Sequence, residues 1–179
     1  MNIESKQKII SPSFSLEDYT EAILPIIKLC LREKVENQKS YKKLLIWYIY
    51  KQIFYSFIDF MDLRSICKVS SRAVTEYQKI DSSGDLRMRK WSEQPAFDKG
   101  RQKGIFHLEH VYTGDMFRRA VESLPKKDLT TNKLVELVQK NYCVAWILKE
   151  ENKHLPRSNR GKSLEDALEI YSKVGINLT

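Results

Sequence analysis

The chain has little of what builds turn-rich or cross-linked proteins. Its 179 residues include six glycines and five prolines, too few for collagen, linker-type disorder or a many-stranded architecture. Cys30, Cys67 and Cys143 form an odd set with no CxxC pair. That excludes a four-cysteine zinc site within one chain and argues against a disulfide framework. Each cysteine sits in an apolar run, where a thiol behaves as a small hydrophobe. No GxGxxG, P-loop, GxSxG or HExxH pattern occurs, so dinucleotide, nucleotide-triphosphate, serine-hydrolase and zincin chemistries lack their signatures. Long hydrophobic runs are missing too. The most apolar stretch, 44–61, is interrupted by Lys51, Gln52 and Asp59, and a bilayer would have to bury all three. The first ten residues are charged and carry no secretory core. The expectation is a cytoplasmic protein with no membrane partner.

What is present is a globular composition with a basic excess. Hydrophobic residues make up 42% and charged residues 30%, which places the chain among folded rather than disordered sequences. Lys and Arg outnumber Asp and Glu by 31 to 23, a net charge of +8. Such an excess is a footprint for a polyanion partner, although basic proteins without one also exist.

Helical periodicity dominates the first half. Over 13–38, Leu16, Tyr19, Ile23, Ile26, Ile27, Cys30 and Leu31 recur at threes and fours. Ser15 and Asp18 make an N-cap signature, and Pro25 should kink or restart the helix. A second helix is expected over 41–68, apolar nearly all round and therefore central to the core or to a dimer. Ser70 caps a short segment to Lys79, and the loop 81–85 marks a boundary between two lobes. Beyond it the pattern reads strand (104–112), helix (113–124), helix (131–140), buried strand (142–148) and helix (149–155). A last helix starts at Ser163 with Asp166 as its capping box and stops before Gly175.

Chemistry concentrates in His107-Leu108-Glu109-His110. On a strand, His107 and Glu109 share one face while His110 points to the other unless the strand ends there. A carboxylate and an imidazole at a strand end can divide the work of phosphodiester hydrolysis, one holding a cation and the other taking the proton of water. A surface strand with two unrelated histidines is the alternative. Lys149-Glu150-Glu151-Asn152-Lys153-His154 follows the second strand and offers oxygen and nitrogen ligands, or a solvated helix start favoured by the helix dipole. The loop Arg157-Ser158-Asn159-Arg160 could grip a phosphate backbone.

Phe106-His107-Leu108-Glu109-His110-Val111 and Trp146-Ile147-Leu148-Lys149-Glu150-Glu151-Asn152 resemble the two halves of the HNH nucleases, also called ββα-metal or His-Me finger nucleases. The resemblance covers about 106–160. About 35 residues, with two expected helices, stand between His110 and Trp146 where the family has a short loop. The resemblance implies a metal-dependent DNA endonuclease of restriction or phage-defence type. Glu109 would be a metal ligand, His110 the general base, and Asn152 (or His154) the second ligand of Mg2+ (or Mn2+). Arg101, Lys103, Lys149, Arg157 and Arg160 would contact phosphates.

The expected architecture is a mostly helical α+β protein. A helical support or dimerisation lobe spans 1–80, with a homodimer formed through helix 41–61. A second lobe, 86–179, carries a small two-stranded β element flanked by helices. Two other functions fit the same residues: a non-catalytic basic regulator that binds nucleic acid, or a helical protein-interaction module.

Overall fold

A computed structural model describes residues 14–36, 40–99, 103–157 and 160–179, with the backbone alone for 34–36 and 40–44. The chain is a mostly helical α+β protein with a small mixed sheet. Helix α1 (Leu16–Glu36) begins with a reciprocal cap. Ser15 Oγ accepts from the Asp18 amide at 3.1 Å, and Asp18 Oδ2 accepts from the Ser15 amide at 2.9 Å. The helix carries Pro25 as one element rather than restarting there. Its stripe of Leu16, Ile23, Ile27 and Cys30 is buried.

Helix α2 (Ser40–Ser56) is shorter than its apolar run implies. The chain continues through a single tight turn, Phe57–Phe60, into the short helix α3 (Leu63–Ile66), capped by Asp62, whose side chain accepts from the Arg64 amide. Residues 67–69, expected at the end of the long helix, instead form strand β1 (Cys67–Val69). Helix α4 (Ser71–Gln78) follows its Ser70 cap. After the loop come helix α5 (Gln94–Phe97), strand β2 (Phe106–His110), helices α6 (Gly114–Ser123) and α7 (Thr131–Asn141), and strand β3 (Val144–Leu148). Helices α8 (Lys149–Asn152) and α9 (Leu164–Lys173) complete the chain.

The sheet has three strands where two were expected, in the order β1-β3-β2. β1 runs parallel to β3, and β2 runs antiparallel to it. All five residues of β3 are buried, as a central strand covered on both faces requires. The C-terminal tail closes the outer edge of β1, since Val69 and Thr179 exchange amide–carbonyl bonds at 3.1 and 3.0 Å. The sheet therefore crosses the boundary expected at 81–85, with Cys67 registered against Val144. One buried cluster also extends from Leu16 to Ile176.

Around the sheet, Tyr77 of α4 and Phe97 of α5 pack edge-on against Phe106, and Phe97 also meets Trp146 with ring centres 5.8 Å apart. α9 keeps its expected cap. Ser163 Oγ accepts from the Asp166 amide, and Asp166 Oδ2 accepts from Ser163. Ser163→Ala should cost about 1 kcal/mol, the usual value of an N-cap, read from the urea midpoint at constant slope.

Candidate functional site

β2 is an edge strand, and its hydrogen bonds determine what its free side offers. Lys149 donates its amide to the Ile105 carbonyl at 2.7 Å and Val111 donates to Cys143 at 3.0 Å. In this antiparallel register His107 and Glu109 turn their backbone toward β3, while Phe106, Leu108 and His110 turn theirs outward. The outward groups of Phe106 are occupied: Asp98 accepts its amide at 3.0 Å and Gln94 Nε2 donates to its carbonyl at 2.8 Å. Both of those side chains are buried. Past Phe106 the edge opens onto a cavity of about 530 Å3, which takes in His107, Glu109, His110, Thr113, Tyr55, Trp91 and Lys149.

The period of two along the strand sends these side chains to different sides. His107 and Glu109 share a face, and His107 Nε2 lies 2.7 Å from Glu109 Oε2. Glu109 Oε1 accepts from Arg160 Nη1, and Arg160 Nε donates to the Pro156 carbonyl at 3.0 Å. Both members of the Arg160–Glu109 pair are largely buried, with side chains 15% and 16% exposed. Burial alone would raise the Glu109 carboxyl, but the His107 hydrogen bond and the Arg160 guanidinium outweigh it and hold the group below the usual range. Arg160, expected to grip phosphate, is thus committed to a carboxylate and a carbonyl.

His110 points to the opposite face. Its ring packs 4.6 Å from Tyr55, 5.6 Å from Phe54 and 6.1 Å from Tyr142, centre to centre. Burial lowers its pKa to about 4, so the imidazole is neutral near pH 7. Its Nε2 finds no hydrogen-bond partner among the described residues. Glu109 and His110 line one cavity but do not touch, because they occupy opposite faces of the strand.

The remaining expected residues are dispersed. Lys149 lines the cavity at the start of α8. Asn152 closes α8 with its Oδ1 buried and without a partner among the described residues, and it does not line the cavity. His154 is exposed, its amide bonded to the Glu151 carbonyl at 3.0 Å. Lys103 and Arg157 are exposed, and Arg101 lies outside the described residues. Both oxygens of Glu109 accept hydrogen bonds, from His107 and Arg160, and neither Asn152 nor His154 lines the cavity that Glu109 lines. Among the described residues no group of three His, Cys, Asp or Glu side chains could hold a metal ion.

The two glutamates of α8 separate cleanly. Glu150 pairs with Arg72 at 3.5 Å on the surface, whereas Glu151 is buried and accepts from Ser70 Oγ at 2.7 Å and the Leu148 amide at 2.8 Å. His107 is the residue whose role the sequence left unassigned, although its spacing to Glu109 on a strand already put the two on one face.

The chain matches no family model, no curated protein and no solved structure. No helix among the described residues is long and apolar enough to cross a membrane.

Proposed function

We propose that the chain hydrolyses phosphodiester bonds of nucleic acid, DNA in the first instance, in the cavity at the outer edge of β2. The observation that carries this reading is the 2.7 Å contact between His107 and Glu109, held on its far side by Arg160. An ionised carboxylate can only accept, so it selects the tautomer with the proton on Nε2 and leaves the Nδ1 lone pair of His107 free. A water molecule beside Nδ1 gives up its proton as its oxygen attacks phosphorus. The bond to the leaving oxygen breaks, and that oxygen takes a proton from solvent. Lys149, which lines the same cavity, offers a positive charge to the phosphoryl oxygens as their charge grows. Arg160 keeps Glu109 ionised and aimed. His110 lies on the other face of the strand with its Nε2 enclosed, and its part is to pack Tyr55 against the strand.

The test incubates purified protein with duplex plasmid and single-stranded phage DNA in Mg2+, Mn2+ or EDTA, beside His107→Ala, Glu109→Gln and His110→Phe. The proposal expects cleavage that falls about a hundredfold or more in the first two variants, the usual weight of a positioned general base. His110→Phe should still cut. The metal arms show whether Mg2+ or Mn2+ takes part. Cleavage that survives His107→Ala overturns the assignment. Intact DNA in every arm, with a gel shift that weakens steeply as salt rises, replaces it with a nucleic-acid-binding protein.

A further inference from the structure

Two aromatic side chains and a lysine on α2 form a ladder that leads to the cavity. Trp47, Lys51 and Tyr55 stand four residues apart, so they stack along one helix face over about 12 Å. Lys51 Nζ sits 5.0 Å from the Trp47 ring centre and 5.4 Å from that of Tyr55, a cation held between two π faces. Tyr55 then meets His110 with ring centres 4.6 Å apart, inside the cavity. Core packing does not account for the outer end of this ladder, because Trp47 is 42% exposed.

The far side of the cavity continues the same alternation. A second trough of about 320 Å3 shares Ile58, Trp91 and Leu108 with the first, so the two adjoin. Trp91 is 48% exposed at the junction, and Arg89 and Lys90 line the trough beyond it. Opposing charge is slight. Asp59 is the carboxylate among the second trough's lining residues, and Glu109 in the first is already paired with Arg160.

We infer that the helix ladder and these two adjoining troughs are a track for single-stranded nucleic acid, with unpaired bases stacking on Trp47 and Trp91 and phosphates running past Lys51, Lys149 and Lys90. A flat aromatic face beside a mobile cation is what an unpaired base and its phosphate require, and a duplex hides those base faces within its own stack. The inference names the substrate class for the cavity and rests on the hydrolytic reading for the strand's destination.

Fluorescence anisotropy in EDTA separates the two ideas. The probes are a short fluorescein-labelled oligodeoxythymidylate and its duplex of equal length, titrated at several salt concentrations with the full chain, Trp47→Ala and Lys51→Gln. The wild type should hold the single strand at least about tenfold more tightly than the duplex. Trp47→Ala, at an exposed position, should weaken single-strand binding by about tenfold, within the range for one stacked base, and leave duplex binding unchanged. Lys51→Gln should reduce the salt slope of single-strand binding by about one phosphate contact.

Equal affinity for the two probes, or unchanged single-strand binding in Trp47→Ala, overturns the track. So does an oligomer of the chain that dissociates in Trp47→Ala while single-strand affinity persists, which would assign this face to a second copy. Single-strand binding without cleavage in any metal overturns the hydrolytic reading and leaves the track. Cleavage that needs His107 but shows no strand preference does the reverse.

Discussion

Glu151→Ala is expected to destabilise the protein by about 3 kcal/mol, a large share of what holds an ordinary domain folded. Glu151 Oε2 accepts from Ser70 Oγ and from the Leu148 amide, and the residue is 3% exposed. Ser70 caps α4 and follows β1, while Leu148 ends β3, so one carboxylate oxygen joins two strands at their shared end. Alanine would leave both donors buried with nothing to accept them, and an unmet buried donor costs about 1–3 kcal/mol. Gln keeps an oxygen at the site and should cost about 1 kcal/mol. Ser70→Ala removes the same contact and the α4 cap together, so the double variant should lose less than the sum of the two singles. Urea denaturation of the wild type and the four variants at pH 7 reads these values. A Glu151→Ala protein as stable as the wild type would show that water replaces the carboxylate and that the junction is not dry.

What could be read in advance follows how locally each feature is determined. The Ser15–Asp18 and Ser163–Asp166 caps were legible because each forms within one turn of chain. β3 was legible because five successive buried residues, Val144 to Leu148, leave a strand covered on both faces as the economical reading. β1 was not legible. Cys67–Val69 is three residues long and becomes a strand only by pairing with Val144–Trp146, far away in sequence. Its apolar approach, Phe57 to Ile66, disguised the end of α2 at Ser56. That β1 pairs with β3 across the loop at 81–85 was equally out of reach, since the pairing joins residues more than 70 positions apart.

The site divides in the same way. That His107 and Glu109 share a face, with His110 opposite, follows from the strand period alone. That Arg160 closes on Glu109 from 51 residues away does not. Nor does the surrounding of His110. Its neighbours Phe54 and Tyr55 come from a helix whose aromatic run read equally well as undivided core. A motif of two histidines and a glutamate therefore marked the strand that borders the cavity, but not which imidazole would meet the carboxylate and which the aromatic rings.

The burial of His110 should appear as a loss of stability on mild acidification. Its pKa is lowered to about 4 in the folded chain, against about 6.5 for an unfolded histidine. Between those values the unfolded chain binds more protons than the folded one, so stability rises with pH across the window and falls as pH drops through it. The full difference is about 3 kcal/mol, nearly all of it gone by pH 4. Glu109 adds a separate loss, because its carboxyl is held below the usual range. Its contribution is intact above the unfolded carboxylate pKa, near 4.3, and disappears only as pH falls below that. His110→Phe distinguishes the two. Phenylalanine suits a pocket built from Phe54, Tyr55 and Tyr142 and removes an Nε2 that has no partner among the described residues. The variant should match or exceed the wild type at pH 7 by up to about 1 kcal/mol. It should then stay level from pH 6.5 to 5 where the wild type declines, and weaken only below that with Glu109. Urea midpoints taken at half-unit steps of pH read both limbs. A wild type that stays flat from pH 7 to 5 would mean that His110 is solvated and able to hold a proton, which would return it to the chemistry of the cavity.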